Sequence, residues 1–221
     1  MLKVVVFDSG YGGELFADQL EKELPVVEVI RVIDWRHADE IQSNPKTARK
    51  AAKAALRPYI GKVDLIIFAN LLLTLTSLKH FRRQYKNQKF LGLNLPHLDP
   101  SIKQDLLILA TKPITKTISY YNFIFHLKQK NCTLALDSWP AKIDDGELTQ
   151  TEISHTLHEF LRHRDYRPQG VILACSHFSD IKIELRASFG HNLRIYDSFS
   201  GVISQVCKTL KIRGGTGKKN K

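Results

Sequence analysis

The segment LACSHFS, residues 173 to 179, sets Cys175 and His177 two positions apart at the end of an apolar run. A thiol beside an imidazole can ionise, and a thiolate serves as nucleophile or proton carrier. Two other readings stand beside that one: half of a metal site, or a buried thiol next to an ordinary histidine. A zinc centre needs more ligands, and no CxxC or HxxxH partner accompanies the pair. Near the N-terminus, FDSGYGG joins Asp8 and Ser9 to Gly10, Gly12 and Gly13. Such glycines let the backbone pass closely around a ligand, or simply make a tight strand-to-helix turn. The lysine of a phosphate loop and the glycine spacing of a dinucleotide site are both absent.

These residues need a frame that brings strand ends together. Eight short apolar runs recur along the chain: KVVVFDSG, EVIRVID, DLIIFAN, KFLGLNL, DLLILAT, CTLALDS, GVILACS and NLRIYDS. Continuous apolar runs of this length, alternating with helical patterns, predict buried parallel strands in βα units. The expected class is α/β, as two pseudo-symmetric doubly wound lobes with mainly parallel sheets and a cleft between them. KVVVFDSG with DLIIFAN is echoed by DLLILAT with GVILACS, which is the signal for two related lobes. The break is expected at NLPHLDPS, giving a first lobe of residues 1–95 plus 198–221 and a second of 96–197 that carries Cys175 and His177. Ligands of such sheets sit at the carboxyl ends of the strands, where Asp8, Ser9, Asn70, Thr111 and Cys175 fall.

The composition narrows the function classes. A chain of 221 residues, 43% hydrophobic, is long enough for sizeable cores. No run reaches the roughly 18 apolar residues of a membrane-spanning helix, and the N-terminus lacks the pattern of a secretion signal. A cytoplasmic protein with no membrane partner is expected. Cys132, Cys175 and Cys207 are too few and scattered for a disulfide framework and read as free thiols. The net charge of +11 is spread over helix-like segments and the tail KIRGGTGKKNK, without a nucleic-acid-binding motif. Solvated faces are therefore expected rather than a nucleic-acid site, with a positive field suited to small acidic ligands.

Taken together, FDSGYGG, LACSHFSDIKIEL and YDSFSGVISQV resemble the motifs of the glutamate racemase family, in the aspartate/glutamate racemase superfamily. LLILATKPITKTISYY is similar to that family's strand with spaced Thr, Ser and Tyr, here Thr111, Thr117 and Tyr120. The resemblance implies a cell-wall-linked isomerase: a cofactor-independent amino-acid racemase in which two cysteines flank the α-carbon of a small amino or carboxylic acid. By motif, Cys175 would be a proton carrier, His177 its acid/base assistant and Ser176 a substrate-binding hydroxyl. Asp8 and Ser9 match the family's Asp-Ser pair, Thr111 and Thr117 its substrate-side hydroxyls, and Asp144 the acid that supports the cysteine. No cofactor and no metal are implied, and a homodimer is compatible with the family.

The pattern departs in the first lobe. The family's other cysteine lies in a motif like ACNTA, whereas this chain reads FANLLL, with Asn70 as the one polar residue kept there. The family's closing Pro-Tyr-Gly loop is replaced by DWRHADEIQS, so Glu40 or His37 would have to supply any second acid or base. The expectation is proton transfer at an α-carbon through Cys175, not two-cysteine racemisation. Two alternatives accompany it: a one-thiol decarboxylase, and a catalytically impaired acid-binding or regulatory protein of the same fold. The run LLLTLTSL is expected to be the apolar face of a helix rather than a pocket lining.

Overall fold

The structure is a computed structural model that describes residues 1–38, 41, 44–96, 98, 99, 101 and 103–212. The chain divides into two compact units: Met1–Asn94 with the segment from Ser198 onward, and Leu95–Asp197.

The first unit is built on a four-stranded sheet of order β2-β1-β3-β4, with every pairing parallel. Its strands are β1 (Leu2–Asp8), β2 (Val27–Ile33), β3 (Leu65–Phe68) and β4 (Phe90–Gly92). The two central strands are buried on both faces, which is why they read as unbroken apolar runs. Helices α1 (Tyr11–Glu23), α2 (Pro45–Leu56) and α3 (Leu71–Gln84) connect them, with a 3-10 turn at Trp35–His37. Asn44 starts α2, its side chain accepting from the amides of Lys46 and Thr47. At the edge strand β2, Arg31 reaches carboxylates of Glu14, Asp18 and Glu21 on α1, at 3.0, 2.6 and 2.7 Å. The C-terminal helix α9 (Phe199–Leu210) packs on this unit, where Phe199 meets Phe16 of α1 edge to face at 5.2 Å.

The second unit repeats the design, with order β6-β5-β7-β8 and all pairings parallel. Its strands are β5 (Leu106–Ala110), β6 (Asn131–Ala135), β7 (Gly170–Ala174) and β8 (Arg194–Tyr196). Helices α4 (Lys112–Thr115), α5 (Ile118–His126), α6 (Trp139–Asp144), α7 (Gln150–Leu161) and α8 (Lys182–Phe189) flank them. All eight apolar runs are thus strands, and β1 with β3 corresponds to β5 with β7 as the central pair. Leu107, Leu109, Trp139, Val171, Leu173 and Phe178 form the heart of this unit's core. Among the described residues, no helix is long and apolar enough to cross a membrane. Glu40 and the basic tail beyond Ile212 lie outside the described residues.

Candidate functional site

Cys175 follows β7 directly, and the next residues wind into a 3-10 turn, His177–Ser179, rather than a regular α-helix. The amides of Phe178, Ser179 and Asp180 each donate to a carbonyl three residues back. The tight winding folds the His177 ring back over Cys175, so that Nδ1 lies 3.6 Å from Sγ. The longer helix α8 starts only at Lys182, so the thiol is followed by a single short turn. Its dipole is correspondingly small, and the imidazole is the thiol's polar neighbour.

On the opposite edge of the ring, His177 Nε2 stands 3.2 Å from Asp144 Oδ1 at the end of α6. The imidazole is buried and the carboxylate nearly so, with 2% and 17% of their side chains exposed. Trp139 at the start of α6 packs edge to face on Phe178 at 6.1 Å, and this buried contact fixes the helix bearing Asp144 against the turn bearing His177. Asp144 Oδ1 thus stands within ion-pair distance of Nε2 while the Nδ1 edge faces the thiol. Sulfur, ring and carboxylate thus form a relay of contacts from the thiol to the acid. Thiol and carboxylate face different ring nitrogens. Among the described residues, no group of three or more His, Cys, Asp and Glu side chains could hold a metal.

Thr111 stands beside this relay. The register pairs Ala110 with Ala174, so Thr111 and Cys175 are the next residues on neighbouring strands. Its hydroxyl caps no helix, although Thr111 precedes α4. Ser176, buried behind Cys175, completes the cluster. Thr117 has a different position. Its hydroxyl caps α5, accepting from the Tyr120 amide at 3.1 Å and donating to the Ile114 carbonyl at 2.8 Å. Asp137, just beyond β6, is a strand-end residue that the motifs did not single out, and it accepts from the Lys112 amide at 2.6 Å. Its signal was present in CTLALDS, which ends on an acid as FDS and YDS do.

In the first unit, Asp8, Ser9 and Asn70 gather at the carboxyl ends of β1 and β3. All three are buried. Asp8 Oδ1 accepts from the Ser9 amide at 2.7 Å and from Asn70 Nδ2 at 2.9 Å. Asn70 Oδ1 in turn accepts from the Leu73 amide at 2.9 Å and starts α3. The buried Ser9 Oγ has no hydrogen-bond partner among the described residues. Gly13 packs the first turn of α1 onto Asp8, since a Cβ there would fall 2.4 Å from Asp8 Cβ. The glycines of FDSGYGG thus make a close strand-to-helix turn. Leu71, Leu72 and Leu73 are buried in the first turn of α3, and Leu73 joins this unit's core. His37 pairs with Asp34 at 2.8 Å. Cys132 lies within β6 and Cys207 within α9, so only Cys175 of the three stands at a strand's carboxyl end.

No family model matches the chain. A Clostridium perfringens glutamate racemase is 24% identical over 213 residues, spanning 93% of this chain and 82% of that protein. The structure of Escherichia coli glutamate racemase with L-glutamate and the activator UDP-MurNAc-ala aligns with a TM-score of 0.82 at 20% identity, over 100% of this chain and 86% of that one. Picrophilus torridus aspartate racemase aligns with a TM-score of 0.61 at 14% identity, covering 96% and 95%. The resemblance carried by the strand-end motifs extends along nearly the whole chain, which is similar in sequence to glutamate racemases and has the paired parallel α/β fold of the aspartate and glutamate racemases.

Proposed function

We propose that the chain is a glutamate-racemase-like protein that moves a proton at the α-carbon of a small amino or carboxylic acid, with Cys175 as the proton carrier. The observation that supports this reading is the alignment of Cys175 Sγ, the His177 ring and Asp144 at 3.6 and 3.2 Å. His177 takes the thiol proton, and Asp144 steadies the imidazolium that results. The thiolate then removes the α-proton: the C–H bond breaks, an S–H bond forms, and the electron pair spreads into the substrate carboxyl group. Hydroxyls of Thr111 and Ser176 stabilise that developing charge. Returning a proton from the same thiol restores the acid, with isotope exchange through His177. Asp8, Ser9 and Asn70 of the first unit are assigned to substrate binding, Asp8 also to proton transfer, and Thr117 and Asp144 to positioning.

Glutamate is the first substrate to test, because a similar protein of known structure holds L-glutamate. The decisive measurement is deuterium uptake at the α-carbon in heavy water, by magnetic resonance, for each enantiomer of glutamate and aspartate and for a substituted malonate. Uptake that disappears in Cys175→Ala supports proton transfer, while carbon dioxide release from the malonate alone would shift the reading to a one-thiol decarboxylase. No uptake with any acid sinks the enzymatic reading. A second reading, an acid-binding or regulatory protein without turnover, draws on the commitment of Asn70 and Thr117 to helix caps. Thermal stabilisation by glutamate that persists in Cys175→Ala, without exchange in either protein, would favour it.

A further inference from the structure

Helix α5 presents an apolar face that none of the described residues covers. Ile118, Tyr121 and Phe125 are 80%, 63% and 83% exposed. Their spacing of three and four residues places them on one side of the helix. The opposite side is held down by Tyr120, whose hydroxyl meets Thr133 Oγ1. Isolated exposed apolar residues are ordinary, but three large ones in line are a surface with a use.

The sequence that carries this face is one-sided in charge. Between Asp105 and Asp137 the sequence has no acidic residue and four lysines, Lys112, Lys116, Lys128 and Lys130. Lys112 and Lys130 lie near those two flanking acids, at 3.2 and 3.9 Å. Lys116 and Lys128, which bracket α5, are exposed and have no acidic partner among the described residues. A second copy of the chain is a poor occupant, because self-pairing would set one lysine collar against another. Three side chains also fall well short of the roughly 800 Å² per partner of a stable interface. Nucleic acid fits the lysines but has no use for Ile118, which cannot stack on a base.

We propose that this face of α5 docks on an anionic lipid surface, with Ile118 and Phe125 entering the boundary between headgroups and acyl chains. Tyr121 would sit at headgroup level, where its ring is apolar and its hydroxyl wet. Lys116 and Lys128 would lie against the lipid phosphates, their stems along the surface. Spanning and surface binding make different demands, and only the first needs a long apolar helix. The inference stands apart from the chemistry at Cys175.

Sedimentation of the full chain with vesicles tests it, using phosphatidylcholine alone and phosphatidylcholine mixed with phosphatidylglycerol. The bound fraction should rise with phosphatidylglycerol and fall with added salt. Ile118→Ser with Phe125→Ser should cut affinity by about tenfold or more, because two apolar side chains leave the boundary. Lys116→Glu with Lys128→Glu should cut it to a similar degree in mixed vesicles only. These positions are exposed, so unchanged circular dichroism is expected of every variant. Tyr121→Trp adds a reporter whose emission should shift to the blue on mixed vesicles. Absence of binding, or binding that ignores the apolar pair, would overturn the proposal. So would a dimer by light scattering, or nucleic-acid retention without lipid binding, if the apolar pair abolished it.

Discussion

Asn70 Nδ2 donates to Asp8 Oδ1 at 2.9 Å, while the Asn70 carbonyl oxygen accepts from the Leu73 amide. One side chain thus joins two strand ends and starts a helix. Asn70→Ala should cost about 1–3 kcal/mol in urea denaturation, since it removes a cap and leaves a buried carboxylate short of a donor. Asn70→Asp keeps the capping oxygen but sets a second carboxylate against Asp8. It should be less stable than Asn70→Ala near pH 7 and recover on acidification, because a proton shared by the two carboxyls relieves the repulsion. Recovery absent at low pH would mean that Asp8 does not depend on this contact.

A Cβ on Gly13 would lie 2.4 Å from Asp8 Cβ and 2.8 Å from Ile33 Cδ1, whereas one on Gly201 in α9 would meet nothing within 4 Å. Gly13→Ala should destabilise by roughly 1–3 kcal/mol, because Asp8 Cβ cannot move away without shifting β1, although the Ile33 side-chain tip can yield. Gly201→Ala should stabilise by about 0.5–1 kcal/mol through lower entropy of the unfolded chain. Melting temperatures of the two variants should move in opposite directions.

In the proposed reaction, the carboxylate 3.2 Å from Nε2 makes Asp144 a positioning residue for the thiol. Alkylation of Cys175 by iodoacetamide reports its thiolate directly. Asp144→Asn should displace the pH profile of alkylation to higher pH, and Asp144→Glu should restore most of it. If proton transfer occurs, Cys175→Ala and His177→Asn should each lower exchange by about a hundredfold or more. An alkylation profile unchanged in Asp144→Asn would show that the carboxylate only packs the turn.

The central strands were legible because burial on both faces leaves unbroken apolar runs, and the half-exposed edge strands β2, β6 and β8 were legible because the halves share one strand order. Cys175 and His177 were legible as a pair because a single residue separates them. The relay's third member was reached through family resemblance alone, since Asp144 meets the ring across a fold of the chain that no local pattern encodes. The Asp8–Asn70 bond spans 62 residues and has no sequence signature. Thr117 shows the reverse, for a threonine before an apolar run is an ordinary helix start, and its cap could have been read locally. The exposed face of α5 was hidden by its own composition, since ISYYNFIFH is apolar enough to suggest burial all round.

Burial sets an upper pH limit on the second unit. The Tyr166 hydroxyl lies 2.6 Å from the Leu106 carbonyl oxygen and 3.0 Å from that of Lys130, fastening the loop before β7 to β5. Desolvation raises the ionisation of Tyr166 well above its ordinary value of 10.0, with the Cys132 thiol beside it adding to the shift. Burial likewise raises Cys132 above 9.0 and Tyr120 above 10.0. Each group stays protonated in the folded chain at pH values where the unfolded chain has already lost the proton. The unfolded state is then favoured as pH rises, so stability holds below about pH 9 and declines above it, steepening past 10. Tyr166→Phe should lose about 1–2 kcal/mol at neutral pH through the missing hydrogen bond, yet show a shallower alkaline decline than the parent chain. Urea midpoints measured from pH 7 to pH 11 check both halves, and parallel declines in the two proteins would exclude Tyr166 as a source of the effect.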